Sequence, residues 1–276
     1  MNKYYYFLLP GLVLLLAFNS NTNNFILGHT FSGGESATFL TLVEMMKIES
    51  QLAEKELPSN ATIAKEHAEH TTEHLTANNT KEIKERNPRL ATELNNTLTD
   101  FVKTFESKSP SQSVVKDKVS NISDILSEVV SARIDNQQLN NVTVKAQVVN
   151  DLVGESLEHY NSSLGETVKT ETPKIVDDAD YQSAQAAVSR AIDLYNEIKP
   201  SGNANSTELG KSLNTLKDTI DSKSPFDLAD KTVDDKITPL LNGMFKLKLA
   251  VEEAHGGEGR DHGGNESKAS SGNETH

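Results

Sequence analysis

Glu35–Leu57, ESATFLTLVEMMKIESQLAEKEL, decides the fold class. Phe39, Leu42, Met46, Ala53 and Leu57 recur at helical spacing, with Val43 and Met45 on either side of that stripe. Pro58 then breaks the helix. Glu35 falls on the apolar stripe and Glu49 at its edge, whereas Glu44 points the opposite way. A carboxylate at a core-facing position is uncommon unless it is paired, hydrogen-bonded or bound to a metal.

Ser59 or Asn60 caps the next helix, Ala61–Leu75, ATIAKEHAEHTTEHL. Three of the chain's eight histidines, His67, His70 and His74, stand in it at i, i+3 and i+7. At about 100° per residue, Ile63 and the three histidines share an arc of roughly 60°. Ala61, Ala64, Ala68 and Leu75 flank the arc on one side, and Glu66, Glu69 and Glu73 on the other. The short proline turn makes the two helices antiparallel neighbours, which brings Glu49 toward the row. Glu35 lies about four turns further back. Neutral imidazole binds zinc, copper, nickel and iron, and one helix can supply two ligands a turn apart. The row with Glu49 is therefore the expected metal site. The plain alternative is a polar helix with half-exposed histidines.

The rest of the chain reads as helix and turn. Helices are expected over 81–107, with Pro88 kinking or dividing it, and over 110–134. Further helices are expected over 143–164, 173–199, 206–222 and 227–255. No stretch alternates as a strand should. The expected fold is all-α, with two related helical units forming a helical bundle. Residues 29–136 make the first unit, with the histidine-rich helix, and 137–255 the second. Two matches support a duplication. Asn96–Pro110 resembles Asn214–Pro225 when three residues are skipped, and Val114–Leu126 matches Ala229–Leu241 in charge and apolar order. The second unit's counterpart of the histidine helix contains no histidine. In that unit Glu155 and His159 lie four apart on one flank of their helix, a pair able to face one ion.

Residues 1–28 read as a signal peptide. Lys3 precedes the apolar run Phe7–Phe18, which is short for a membrane span, so membrane attachment is expected only through an uncleaved anchor. Nine Asn-x-Ser/Thr motifs accompany it, at Asn60, Asn78, Asn95, Asn121, Asn141, Asn161, Asn205, Asn265 and Asn273. The chain has no cysteine, so an exported form uses no disulfides. A net charge of −13 argues against nucleic acid and against anionic membrane surfaces. Residues 256–276 are Gly/Ser/Asn-rich and are expected to be disordered.

Cleavage after Gly28 would make His29 the first residue, whose amine and imidazole can chelate copper. That arrangement resembles the copper histidine brace of some secreted oxidases and copper carriers. Glu252 and His255 have the Glu-x-x-His spacing of carboxylate-bridged di-iron bundles, but a second such motif is missing. There is no cysteine nucleophile, G-x-S-x-G, H-E-x-x-H or phosphate-binding glycine loop, so an enzyme is not the leading expectation. The architecture is similar to that of helical extracytoplasmic proteins serving iron or copper uptake. The leading expectation is an exported protein that binds copper, zinc or iron through His67, His70, His74, Glu49, His159 and His29, for capture or delivery, with a possible envelope or membrane protein as partner. The alternatives are a glycosylated structural or interaction protein of the cell envelope without metal, and a copper-dependent oxidase or its accessory subunit.

Overall fold

A capping box opens the first helix of the computed structural model, which describes residues 30–107, 109–169 and 173–247. The Ser32 backbone N–H donates to Glu35 Oε2 (2.7 Å), and the Glu35 N–H donates to Ser32 Oγ (3.3 Å). From there α1 runs over Gly33–Glu56. Glu35 is thus an exposed cap, not a core carboxylate. The expected signal segment, His29, Glu252, His255 and the polar tail lie outside the described residues.

All regular structure among the described residues is helical. After α1 come α2 (Ala61–Glu73), α3 (Ala77–Arg86), α4 (Pro88–Thr104), α5 (Gln112–Arg133) and a single turn, α6 (Asn136–Leu139). The second half holds α7 (Val142–Leu164), α8 (Asp178–Ile198), α9 (Ala204–Asp221), α10 (Phe226–Thr232) and α11 (Thr238–Phe245). Pro88 divides the third expected helix rather than kinking it. Asn87 closes α3, and its side chain caps α4, where Pro88 takes a position that needs no N–H. A π turn, Val233–Ile237, joins α10 to α11, with the Thr238 N–H reaching back to Val233 O. Pro239 follows directly and has no N–H for the regular ladder.

The helix expected from Pro173 begins only at Asp178, because Asp177 caps it by accepting from the Asp180 N–H (3.0 Å). Gly165 sets this up. It ends α7 with φ +51°, a conformation that disfavours any side chain, and an added Cβ would lie 2.9 Å from Val176. The chain then folds back so that the Val176 N–H donates to Ser163 O (2.8 Å). That return fixes the register of α8 against α7.

Two hydrophobic cores share α1. Phe39, Val43, Met46 and Ala53 face one core, with Leu94, Phe101, Ile122 and Leu126 from α4 and α5. Ala37, Met45, Ile48 and Leu52 face the other, with Leu152, Tyr160, Val188 and Leu213 from α7, α8 and α9. The sequence pattern showed one stripe on α1, but the helix is buried on two faces. Two of its buried hydroxyls are satisfied locally, as Thr41 Oγ1 donates to Ala37 O (3.1 Å) and Ser50 Oγ to Lys47 O (3.0 Å), while the buried Ser36 Oγ has no hydrogen-bond partner among the described residues. Glu44, on the far side of the expected stripe, accepts from Arg190 Nε of α8 at 2.6 Å.

The hairpins α1–α2 and α7–α8 meet side by side, with α2 also against α8. Small residues also line each core: Ala64 and Ala68 of α2 are fully buried in the first, and Ala184, Ala187 and Ala191 of α8 in the second.

Candidate metal centre

The polar residues collect where α1, α2, α7 and α8 meet. Asn60 starts α2 by accepting the N–H groups of Thr62 and Ile63, which sets the rotation of the helix. His67 and His70 then face Glu49 of α1, and His74 closes the helix. Asn79 Nδ2 holds that end by donating to His74 O (3.0 Å).

Glu49 and His67 are both fully buried, at 0% exposure. His67 Nδ1 donates to Glu49 Oε2 at 2.8 Å, and Nε2 pairs with the Gln182 side-chain amide of α8 at 2.9 Å. Both ring nitrogens of His67 are therefore taken. His70 Nδ1 lies 3.6 Å from the same Glu49 oxygen, too far for a hydrogen bond. That nitrogen and Glu49 Oε1 are both buried without a hydrogen-bond partner. Such groups are costly to leave unmatched.

His159 of α7 enters from the second hairpin. Its Nδ1 donates to Asp180 Oδ1 of α8 at 2.8 Å, and Nε2 makes no hydrogen bond to the described residues. A carboxylate on one imidazole nitrogen is the usual support for a metal on the other. The His70 and His159 rings lie 6.2 Å apart. Two sets of ligand atoms lie within 4.8 Å of one another: Glu49, His67 and His70, and Glu49, His74 and His159.

Charge separates the histidines. Burial holds His74 down to about 4, so its ring is neutral at pH 7, the form that binds metal. Burial works against a charge on His70 too, but the adjoining Glu49 carboxylate outweighs it and raises His70 to about 9. His159 is raised in the same sense, as the bond to Asp180 overcomes burial. Burial would push Glu49 up, yet His67 and His70 hold it well below the usual carboxylate range. Glu155, half-buried nearby, is raised by burial.

Five of the six residues singled out from the sequence, Glu49, His67, His70, His74 and His159, thus converge, and His29 is outside the described residues. Glu155 belongs to neither set of ligand atoms. Sequence reasoning missed Asp180 and Gln182. Asp180 was findable: it stands four residues before Ala184 on the Ala184–Ala187–Ala191 face, a carboxylate on an apolar stripe like Glu49. Gln182 carries no comparable signal.

Comparison with protein-family models, with curated proteins and with solved structures gives no match. The chemistry of the cluster therefore carries the functional argument.

Proposed function

We propose that this protein binds one divalent transition-metal ion through Glu49, His74 and His159, for capture or delivery outside the cytoplasm. The observation that carries the reading is the buried, unpartnered Glu49 Oε1 at a junction with two imidazoles that can ligate. An ion held at about 2.0–2.1 Å by tetrahedral ligands needs ligand atoms about 3.3 Å apart. Spacings within 4.8 Å ask for small rotations of these side chains. One carboxylate with imidazoles and no sulfur suits Zn²⁺, Cu²⁺ or Fe²⁺. His67 serves as a positioning residue, since both its nitrogens are used, and Asp180 orients His159. His70 adjoins the ion as a further donor.

In this reading the two helical units are counterparts that form one bundle, with α1–α2 matched by α7–α8 and the ion joining them. The exported location rests on the N-terminal sequence pattern.

The test is calorimetric titration of purified mature protein with Zn²⁺ and Cu²⁺. The expected result is uptake of about one ion, weakening as the pH falls through the raised pKa of His159 and lost toward 4 as His74 also protonates. Replacing His67, His70 and His74 together by Ala should abolish uptake while leaving helicity by circular dichroism intact. Uptake that survives the triple change rejects this site.

One observation favours a second reading. Glu49 with His67, and His159 with Asp180, are hydrogen-bonded to each other without any ion. That suits a glycosylated envelope protein in which the polar junction is structural, and it predicts no uptake at all.

A further inference from the structure

We propose that the folded chain carries N-linked glycans on Asn60, Asn78, Asn95, Asn121, Asn141 and Asn205. The proposal rests on the export reading above but not on the metal. Each residue begins an Asn-x-Ser/Thr motif, and each is exposed.

Exposure alone says little, because asparagine is usually exposed. Hydrogen bonding adds a requirement that the six meet. Asn79, Asn140, Asn150 and Asn214, none of which begins a motif, spend their side-chain NH₂ on His74 O, Asn136 O, Asp151 Oδ1 and Gly210 O. Among the described residues, none of the six motif asparagines donates its NH₂ to the protein. That property is shared with Asn87, Asn96, Asn136, Asn196 and Asn203, so the motif and the exposure select the six and the hydrogen bonding leaves Nδ2 available in each. Asn60 and Asn141 do have structural work, as the N-caps of α2 and α7, but they cap through Oδ1. Glycan transfer takes place at Nδ2 and leaves Oδ1 an acceptor, so the caps survive it.

The third residue of each motif agrees. Thr62, Thr80, Thr97, Ser123, Thr143 and Thr207 all reach the surface, Thr80 while donating to Thr76 O (2.9 Å), so burial rather than hydroxyl bonding is what separates the sites. Asn161 is the exception. Its third residue, Ser163, is fully buried and donates to Tyr160 O (2.7 Å), so Asn161 stays bare on the folded chain. No motif falls on α1 or α8, the helices most enclosed at the junction. The six acceptors stand at the start of α2, α3, α7 and α9 and along α4 and α5.

The donor class is a polyprenyl-phosphate-linked oligosaccharide. The Asn Nδ2 forms a bond to the anomeric carbon and gives up one proton. The anomeric carbon–oxygen bond breaks, and the phosphate leaves with its electron pair. Nothing is oxidised or reduced.

Glycopeptide mass spectrometry of the full chain, isolated from the cells that make it, tests this. The expected result is glycan on peptides containing the six asparagines and none on Asn161. Asn95→Gln and Asn121→Gln should each remove one glycan step from the intact mass without changing helicity. A mature-length chain with the six sites bare overturns the glycan proposal alone. A chain that keeps its first residues and is bare throughout overturns the export reading with it. Glycan at Asn161 overturns the accessibility argument that selected the six.

Discussion

Glu49 and His67, eighteen positions apart, are joined by a 2.8 Å hydrogen bond with no exposure to water, and only one of the two carboxylate oxygens takes part in it. His67 turns its other nitrogen to Gln182. One oxygen of Glu49 is thereby fixed in direction and the other is held toward the second hairpin.

Glu49→Gln keeps the shape and removes the charge. Zn²⁺ uptake by calorimetry should be lost. Urea midpoints should show a stability loss of about 1.5–3 kcal/mol for the charge-assisted bond. Undiminished uptake would exclude Glu49 as a ligand.

Ligands and supporting residues should separate by degree. His74→Ala and His159→Ala should abolish uptake. Asp180→Asn and Gln182→Ala should weaken it about 10- to 100-fold, as loss of an outer hydrogen bond does. The reverse ranking would show that the assignment is inverted.

Metal-free protein should be most stable near pH 6.5. His74 is held down to about 4 when folded, against 6.5 when free, so the unfolded chain takes up protons first as the pH falls between those values. Its contribution is complete above 6.5 and lost toward 4. His70 works the other way, because it keeps its proton to about 9 when folded. Its contribution is complete below 6.5 and lost as the pH rises to 9. Thermal midpoints measured from pH 4 to 9 should form a dome, and a steady rise across that range would contradict the assigned environments.

Gly165→Ala should cost more than about 1 kcal/mol, since alanine is strained at positive φ. The added methyl also meets Val176. Because this turn places Asp180 against His159, ion affinity should drop along with the thermal midpoint. A drop in stability with unchanged affinity would separate the turn from the site.

Leu94→Ala and Leu152→Ala empty fully buried positions in different cores. Each should cost about 2–5 kcal/mol. Because α1 belongs to both cores, each variant should still unfold in a single transition by circular dichroism and fluorescence-independent calorimetry. Two resolved transitions would mean that the cores are independent.

The helical class, the first hairpin and the polar row were legible because they depend on local spacing. Pro58 and Asn60 mark the turn, and i, i+3, i+7 places the three histidines on one face. The approach of His159 was only suggested, since contact between α2 and α7 depends on how two hairpins dock. The second buried face of α1 was obscured by its chemistry. Ser36, Thr41 and Ser50 read as polar, yet all are buried. The start of α8 was misplaced because Pro173 looks like a first-turn proline, while Asp177 supplies the actual cap. The dual engagement of His67 had no sequence signature, because Gln182 looks like any other helical surface residue.

A helix shared by two cores has a consequence for biosynthesis. The ribosome makes α1 before any of its partners. The face bearing Phe39, Val43 and Met46 finds α2, α4 and α5 soon after, but the face bearing Met45, Ile48 and Leu52 must wait for α7 and α8. Until those emerge, a nascent chain presents that oily flank to water, where it is a binding surface for chaperones. A gene fragment ending after α5 would leave the flank open permanently, so the first half should be produced as a sticky, self-associating product rather than as a working miniature of the whole.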